Sequence, residues 1–181
     1  MRNPLPGWDA TLSWHSPERT HRGRRRRKDV SIGRTAVGKG VFARRRFREE
    51  EIIGEITGLL LQNADYGSDY CFDIGDHCYL EPAPPICFVN HSCEPNCEFD
   101  WFAVAETGEL SARKRVMLFS LRDIRPGEEL TLDYHWSAAA AIPCRCHAPN
   151  CRGWIVRADQ LATIRSSLDR EQLAPNGFPG C

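Results

Sequence analysis

No stretch of the 181 residues is long and apolar enough to span a bilayer, and no apolar segment follows Met1. The sequence therefore predicts no membrane partner and no signal peptide. It predicts an intracellular protein that is not secreted, in the cytoplasm or in the nucleus or nucleoid. No internal repeat is visible, and at this length one domain with a small appendage is the default. Phosphate-cradling patterns are missing as well. Gly38-Lys39-Gly40-Val41-Phe42 contains G-x-G, but neither the longer glycine pattern of a dinucleotide site nor a Walker loop. By itself it reads as a strand-edge turn. Helical periodicity is scarce, confined to about Ala158 to Leu168, with apolar positions at Leu161, Ile164 and Leu168.

Net charge is also absent, but the zero hides an asymmetry. Residues 1–48 hold 14 Lys and Arg against 3 acids, a net of +11; residues 49–181 hold 10 against 21, a net of −11. Residues 1–29 carry Pro4, Pro6, Gly7 and Pro17 and the run Arg22 to Lys28. Such a block repels itself and buries little, so it is expected to be a flexible arm. The run Arg22–Lys28 fits contact with nucleic acid, a localisation signal or a solubilising tail. Trp8, Leu12 and Trp14 are the arm's only candidates for docking on the body.

From Val30 the pattern is of short apolar stretches broken by turn residues. They include Val37–Phe42, Glu51–Ile56, Leu59–Leu61, Tyr70–Ile74, Trp101–Val104, Val116–Leu121 and Leu130–Leu132. Strands of four to six residues at this density predict a mostly-β domain of several small sheets.

Three clusters carry chemistry. Asn90-His91-Ser92-Cys93-Glu94-Pro95-Asn96-Cys97 crowds amides, an imidazole, a hydroxyl and thiols behind the apolar pair Phe88-Val89. It reads as a short strand ending in a hydrogen-bonded turn. Cys144-Arg145-Cys146-His147-Ala148-Pro149-Asn150-Cys151 gives C-x-C-x4-C. Nine cysteines, an odd number clustered in a reducing compartment, hold metal more often than each other. Three thiolates this close predict one structural zinc, which needs a fourth ligand. Cys93 is the natural one, with His147 and Cys97 as competitors. The third cluster is Glu128-Glu129-Leu130-Thr131-Leu132-Asp133-Tyr134. Its terminal phenol is either a core residue or, in a dry pocket, a group that orients or deprotonates a reactant.

In this order, the motifs resemble the SET-domain family of protein lysine methyltransferases. Gly38 to Phe42, Tyr70-Cys71-Phe72, Phe88 to Cys97 and Glu128 to Tyr134 match its SET domain, and Cys144 to Gly153 its post-SET zinc segment. The resemblance implies small curved β-sheets around a C-terminal pseudoknot, in which the segment ending at Tyr134 passes beneath a loop containing Asn90. It implies a SET domain over 30–136 and a post-SET segment over 137–156, between the Arg-rich arm over 1–29 and a helix and tail over 157–181 that the sequence pattern predicts. It also implies S-adenosylmethionine bound by Val37, Gly38, Lys39, Gly40, Tyr70, Asn90, His91, Tyr134 and Arg145. One structural zinc would sit on Cys93, Cys144, Cys146 and Cys151, leaving Cys97 over. A lysine of a basic, histone-like protein would enter a channel with Tyr70, Leu132 and Tyr134, with Tyr134 catalytic. Three positions depart from the family: Ile56 where an aromatic is often found, Cys87 where Arg is usual, and Leu132 where many members carry Phe or Tyr. The small apolar Leu132 predicts di- or trimethylation. The alternatives are a SET-like module that binds protein or nucleic acid without catalysis, and a zinc-dependent nucleic-acid binder using the basic arm.

Overall fold

A computed structural model describes residues 29–62, 68, 71–104 and 113–166. Among them are twelve short strands: β1 Val30–Thr35, β2 Gly38–Ala43, β3 Ile52–Ile56, β4 Gly58–Gln62, β5 Phe72–Asp73, β6 Cys78–Pro82, β7 Asn90–His91, β8 Cys97–Val104, β9 Arg113–Ser120, β10 Glu129–Leu132, β11 Ile142–Pro143 and β12 Trp154–Ile155. They form four small sheets, ordered β1-β2-β10-β7, β3-β9-β8, β4-β6-β5 and β11-β12. The expected mostly-β architecture of several small sheets is what the chain adopts.

Apolar residues of the first three sheets meet in one core. Val41, Leu118, Leu130, Phe47 and Ile124 are completely buried there. Each such side chain contributes about 1.5–3 kcal/mol by leaving water. Phe47 and Ile124 also exchange both backbone hydrogen bonds, at 3.0 and 2.9 Å. That bridge ties the turn after β2 to the turn before β10.

The β1–β2 hairpin accounts for both glycines of the G-x-G. Thr35 pairs with Gly38, so the turn is only Ala36-Val37. Gly38 leaves it at φ +122°, a conformation closed to most side chains. A Cβ on Gly40 would stand 2.5 Å from Glu129 Oε1 and 3.2 Å from Asn90 Nδ2. Only glycine lets β10 and β7 pack so closely on β2.

β10 is an inner strand of its sheet. It runs antiparallel to β2 and parallel to β7, with Thr131 opposite Asn90 and Leu132 opposite His91. Ser92 N continues the ladder to Leu132 O at 2.9 Å. The buried amide of Asn96 adds to it: Oδ1 accepts from Thr131 N at 2.8 Å, and Nδ2 donates to Glu129 O at 2.7 Å. Past β10, Tyr134 N donates to His91 Nδ1 (3.3 Å) and the Tyr134 hydroxyl to Val89 O (2.8 Å). These are the contacts expected of a chain passing against the loop that carries Asn90.

Several local expectations are corrected. Phe88-Val89 is not strand: Ile86–Phe88 form a 3-10 turn behind Pro85, and pairing begins at Asn90. Proline presets the φ that such a turn needs. β6 was not foreseen, although Leu80 and Pro82 alternate inward as a half-buried strand should. In Tyr70–Ile74 only Phe72–Asp73 is strand, and Tyr70 lies outside the described residues. The late helix begins as a 3-10 turn, Ala158–Gln160, and continues over 161–166 with Ile164 buried. Its expected end at Leu168, and nearly all of the basic arm, also lie outside the described residues. Among the described residues, no helix is long and apolar enough to cross a membrane.

Candidate active site and metal centre

The cysteine loop is closed by the β11–β12 pair and by Cys144 N bonding to Gly153 O at 2.9 Å. That closure brings three thiols to the turn after β7. Cys93 Sγ lies 3.8 Å from Cys144 Sγ and 4.0 Å from Cys151 Sγ. Ligands at about 2.3 Å around a tetrahedral ion stand about 3.8 Å apart, so this spacing fits zinc. Backbone N–H groups point at all four sulfurs. Arg152 N donates to Cys93 Sγ (3.4 Å), Cys93 N to Cys146 Sγ (3.5 Å), Cys146 N to Cys144 Sγ (3.4 Å) and Gly153 N to Cys151 Sγ (3.4 Å). Such donors favour thiolates. Burial opposes charge on Cys146, yet amide donors from Cys93 and Ala148 draw its pKa down to about 6. Burial and neighbouring thiols push Cys144 far above the ordinary thiol range. Four thiolates cannot share this volume without a cation, which the donor set is built to take.

His91 is the rival of Cys151: the ligand atoms of His91, Cys93, Cys144 and Cys146 all lie within 4.8 Å of one another, a group that leaves Cys151 out although its sulfur is 4.0 Å from Cys93 Sγ. The hydrogen bonds of His91 argue for Cys151 instead. Nδ1 accepts the Tyr134 N–H, so the neutral ring carries its proton on Nε2, which then donates to Cys93 Sγ at 3.3 Å. Burial pushes the imidazole down to about 4, which keeps it neutral. His147 and Cys97, the competitors named from spacing, are not part of the cluster. Cys97 is buried beside Asn96 Oδ1, and burial pushes its thiol up to about 12.

Two cavities meet at Tyr134. One, of about 640 Å³, is lined by Cys71, Phe72, Tyr79, Val89, Phe99 and Leu132, among others. The other, of about 650 Å³, is lined by Val37, Asn90, His91, Glu129, Arg145 and His147, among others. Tyr134 and Trp136 line both. Their rings stand 5.4 Å apart, tilted by 38°. Of the residues expected around the donor, Val37, Asn90, His91, Tyr134 and Arg145 are thus brought together. Gly38, Lys39 and Gly40 are not among the lining residues. Lys39 contributes instead through its carbonyl, which accepts from Asn90 Nδ2 at 3.0 Å, while its ammonium sits 4.6 Å above the Phe88 ring. Leu132 and Tyr134 line the first cavity together.

Sequence reasoning passed over four residues around the site: Glu129, Asp133, Arg152 and Trp136. Glu129 Oε1 accepts the second hydrogen of Asn90 Nδ2 at 2.7 Å and fixes that amide. Asp133 accepts from Arg152 Nη2 at 2.8 Å, and Trp136 walls both cavities. Glu129 and Asp133 stood inside a singled-out stretch but had no visible partner, because their partners lie 39 and 19 residues away. A tryptophan two residues past the phenol was the only sign of Trp136.

Residues 38–135, more than half of the chain, match the SET domain. The chain belongs to the SET domain family. Its curated relatives include "Histone-lysine N-methyltransferase, H3 lysine-4 specific" proteins. That of Emericella nidulans is 31% identical over 152 residues, 73% of this chain and 12% of the relative. That of Aspergillus fumigatus is 30% identical over 172 residues, 84% of this chain and 13% of the relative. The chain thus spans little more than a tenth of the length of these relatives. Among solved SET domain structures, Kryptonite in complex with mCHH DNA, an H3(1–15) peptide and SAH is 26% identical, with a TM-score of 0.60. The match covers 71% of this chain and 30% of that one. Kryptonite with mCHG DNA and SAH is 28% identical with a TM-score of 0.59, covering 71% and 29%.

Proposed function

We propose that this SET domain is a protein-lysine N-methyltransferase that uses S-adenosylmethionine and acts on a basic, histone-like protein. One observation carries the reading: Tyr134 walls two cavities at once, with its hydroxyl fixed by the Val89 carbonyl. A group-transfer enzyme needs two reactants to meet in line at one point, and holding them there lowers the barrier most.

In this reading the Asn90 cavity takes the donor. Val37, Asn90, His91 and Arg145 bind it, and Gly38, Lys39 and Gly40 shape the hairpin behind Asn90. Bound there, S-adenosylmethionine would supply an electrophilic sulfonium methyl group. The Leu132 cavity takes the lysine, with Tyr70 a further channel residue. Phe72, Val89, Phe99, Leu132 and Trp136 make part of its wall apolar, while Asp73 and Asp133 on the same wall attract an incoming ammonium; the amine has to shed its proton before transfer, because only the neutral nitrogen carries the lone pair. The Tyr134 hydroxyl has its hydrogen committed to Val89, so its oxygen serves as an acceptor that orients reactant N–H and C–H groups. Cys93, Cys144, Cys146 and Cys151 would hold one zinc, whose contribution is to cross-link the cysteine loop to the turn after β7. Residues 30–136 are then the catalytic unit and 137–156 its metal-held wall.

The net −11 of residues 49–181 suits a basic peptide, and an H3 peptide complex of a relative supports a histone-like partner. A relative solved with DNA supports nucleic acid as a second partner, through Arg22–Lys28. Histone chemistry among the relatives argues for a nuclear or nucleoid location over the cytoplasm. The test is labelled donor with mixed core histones, alongside donor binding by calorimetry. Labelled lysine on a histone supports the reading. Donor binding without transfer to any basic protein in a panel leaves a non-catalytic binding module instead.

A further inference from the structure

The Asp133–Arg152 pair takes no part in the transfer step itself, yet its side chains are 11% and 13% exposed, deeper than any other pairing of Arg or Lys with Asp or Glu among the described residues. Arg152 belongs to the cysteine loop, directly after Cys151, and its backbone N–H caps Cys93 Sγ. Its guanidinium reaches Asp133, with Nη2 2.8 Å from Oδ1, and its charge also acts on the Cys93 and Cys144 sulfurs. Asp133 immediately precedes Tyr134. The same carboxylate oxygen accepts the His135 N–H at 3.2 Å, so it closes a turn around Tyr134. His135 takes φ +51° in that turn, a left-handed conformation that such a side-chain bond helps to hold. Two supports therefore flank the phenol: His91 holds the Tyr134 amide, and Asp133 holds the peptide that follows it.

Burying an ion pair is costly unless another requirement keeps it. Arg152 is not even fully satisfied, since its Nε is buried with no partner among the described residues. A pair placed for stability alone would not strand a donor. The pair is also the one charged strut joining the cysteine knot to the Tyr134 segment among the described residues.

We propose that Arg152 is a positioning residue: through Asp133 it transmits the geometry of the assembled cysteine knot to Tyr134. The claim rests on the methyltransferase reading for its kinetic consequence, but not for its structural one. A knot that closes properly then sets the phenol between the two cavities, and a knot with the strut cut leaves the phenol free to tilt while the metal stays bound.

The experiment uses the full chain and the variants Arg152→Met, Arg152→Lys, Asp133→Asn and the Arg152→Met/Asp133→Asn double. Zinc content is measured for each. The protein is labelled with 3-fluorotyrosine, and the Tyr134 resonance is assigned by its loss in Tyr134→Phe. Expected are one zinc per chain throughout and a shifted or broadened Tyr134 resonance in Arg152→Met and Asp133→Asn. With histone substrate, kcat should fall about tenfold or more while KM for the donor moves less than threefold, Arg152→Lys should recover part of the loss, and the double variant should be no worse than either single. An unmoved Tyr134 resonance overturns the proposal even if the protein transfers no methyl group. So do additive losses in the double variant, or zinc loss in Arg152→Met that Asp133→Asn does not share, which would make Arg152 a part of the knot alone. A wild-type protein without transferase activity removes the function reading, whereas the resonance still decides the strut.

Discussion

The Tyr134 hydroxyl lies 2.8 Å from the carbonyl oxygen of Val89 and donates to it. That bond joins the end of the β10 segment to the loop before β7, 45 residues earlier. It holds the ring edge-on to His91, at a centroid distance of 5.4 Å. Phenylalanine at 134 keeps the ring and loses the oxygen. The fold should lose about 1 kcal/mol, the net worth of one hydrogen bond. Methyl transfer should fall by about 100-fold or more, the scale set by removing a positioned polar group from a reacting centre. Donor affinity should hold within a few-fold by calorimetry. Transfer at the wild-type rate would show that the oxygen takes no part.

Leu132 lines the cavity at Tyr134; in the proposed methyltransferase reading, its size bears on the number of methyl groups accepted. Its own strand position is 2% exposed, so it packs into the core as well as facing the cavity. With leucine there, a time course with excess donor should run on to di- or trimethyl-lysine. Leu132→Tyr adds bulk and a hydroxyl that can hold water, and should stall the product at monomethyl-lysine. Mass spectrometry of the peptide product decides. A wild-type reaction that stops at one methyl group contradicts the role given to leucine.

Asn96 should be worth more to stability than any single core leucine contact suggests. Its buried amide satisfies Thr131 N, Glu129 O and, at 3.2 Å, Glu128 Oε1. Asn96→Ala strands two backbone groups of β10 away from water. The expected loss is about 2–4 kcal/mol, read from urea unfolding, since an orphaned buried group forfeits its full desolvation cost. A loss below about 1 kcal/mol would mean that water replaces the amide. The same residue marks what the sequence could and could not reveal. The stretch Asn90 to Cys97 was visible as chemistry, because turn-formers and thiols do not cluster so by chance in a plain strand. The sheets were legible as short apolar runs between glycines and prolines. The partners were not. Asn96 serves residues 33 and 35 positions away, Asn90 serves Glu129, and Arg152 serves Asp133. Long-range pairing leaves no local period, so only the types of these residues were readable, not their roles. β7 and β12 are two residues long, too short to carry any alternation.

Glu51 makes the stability of the turn after β2 depend on pH. Its carboxylate accepts the Arg48 N–H at 2.8 Å and Arg45 Nη1 at 2.7 Å. The Arg48 amide, then the Arg45 guanidinium, hold its pKa below the ordinary 4.5. A carboxyl depressed on folding contributes stability above its unfolded value, and loses it as pH falls through the folded one. Glu51→Gln should therefore cost about 0.5–1 kcal/mol at pH 7, discounted because the pair is partly exposed. The difference between the two proteins should shrink as pH drops below 4.5 and vanish in stronger acid. Parallel urea titrations at pH 7 and in acid measure it. A constant difference at all pH values would trace the effect to packing instead.

The eight described cysteines divide into three classes that one labelling experiment can separate. Cys71, Cys78 and Cys87 are half-buried and outside the knot, so a small alkylating reagent should reach them in the native protein. Cys93, Cys144, Cys146 and Cys151 should resist while zinc is bound, because their sulfurs are committed to the ion. A strong chelator should release one zinc per chain and expose these four together, with a fall in thermal stability as the loop comes off the turn after β7. Cys97 should resist in both states. Its thiol is 1% exposed and held protonated by burial, with a pKa of about 12, and it is the thiolate that reacts. Only denaturant should label it. Labelling of Cys97 with the knot thiols after chelation would make it a ligand. Labelling of Cys151 before chelation, with the other three protected, would return His91 to the metal and reverse the tautomer assigned to its ring.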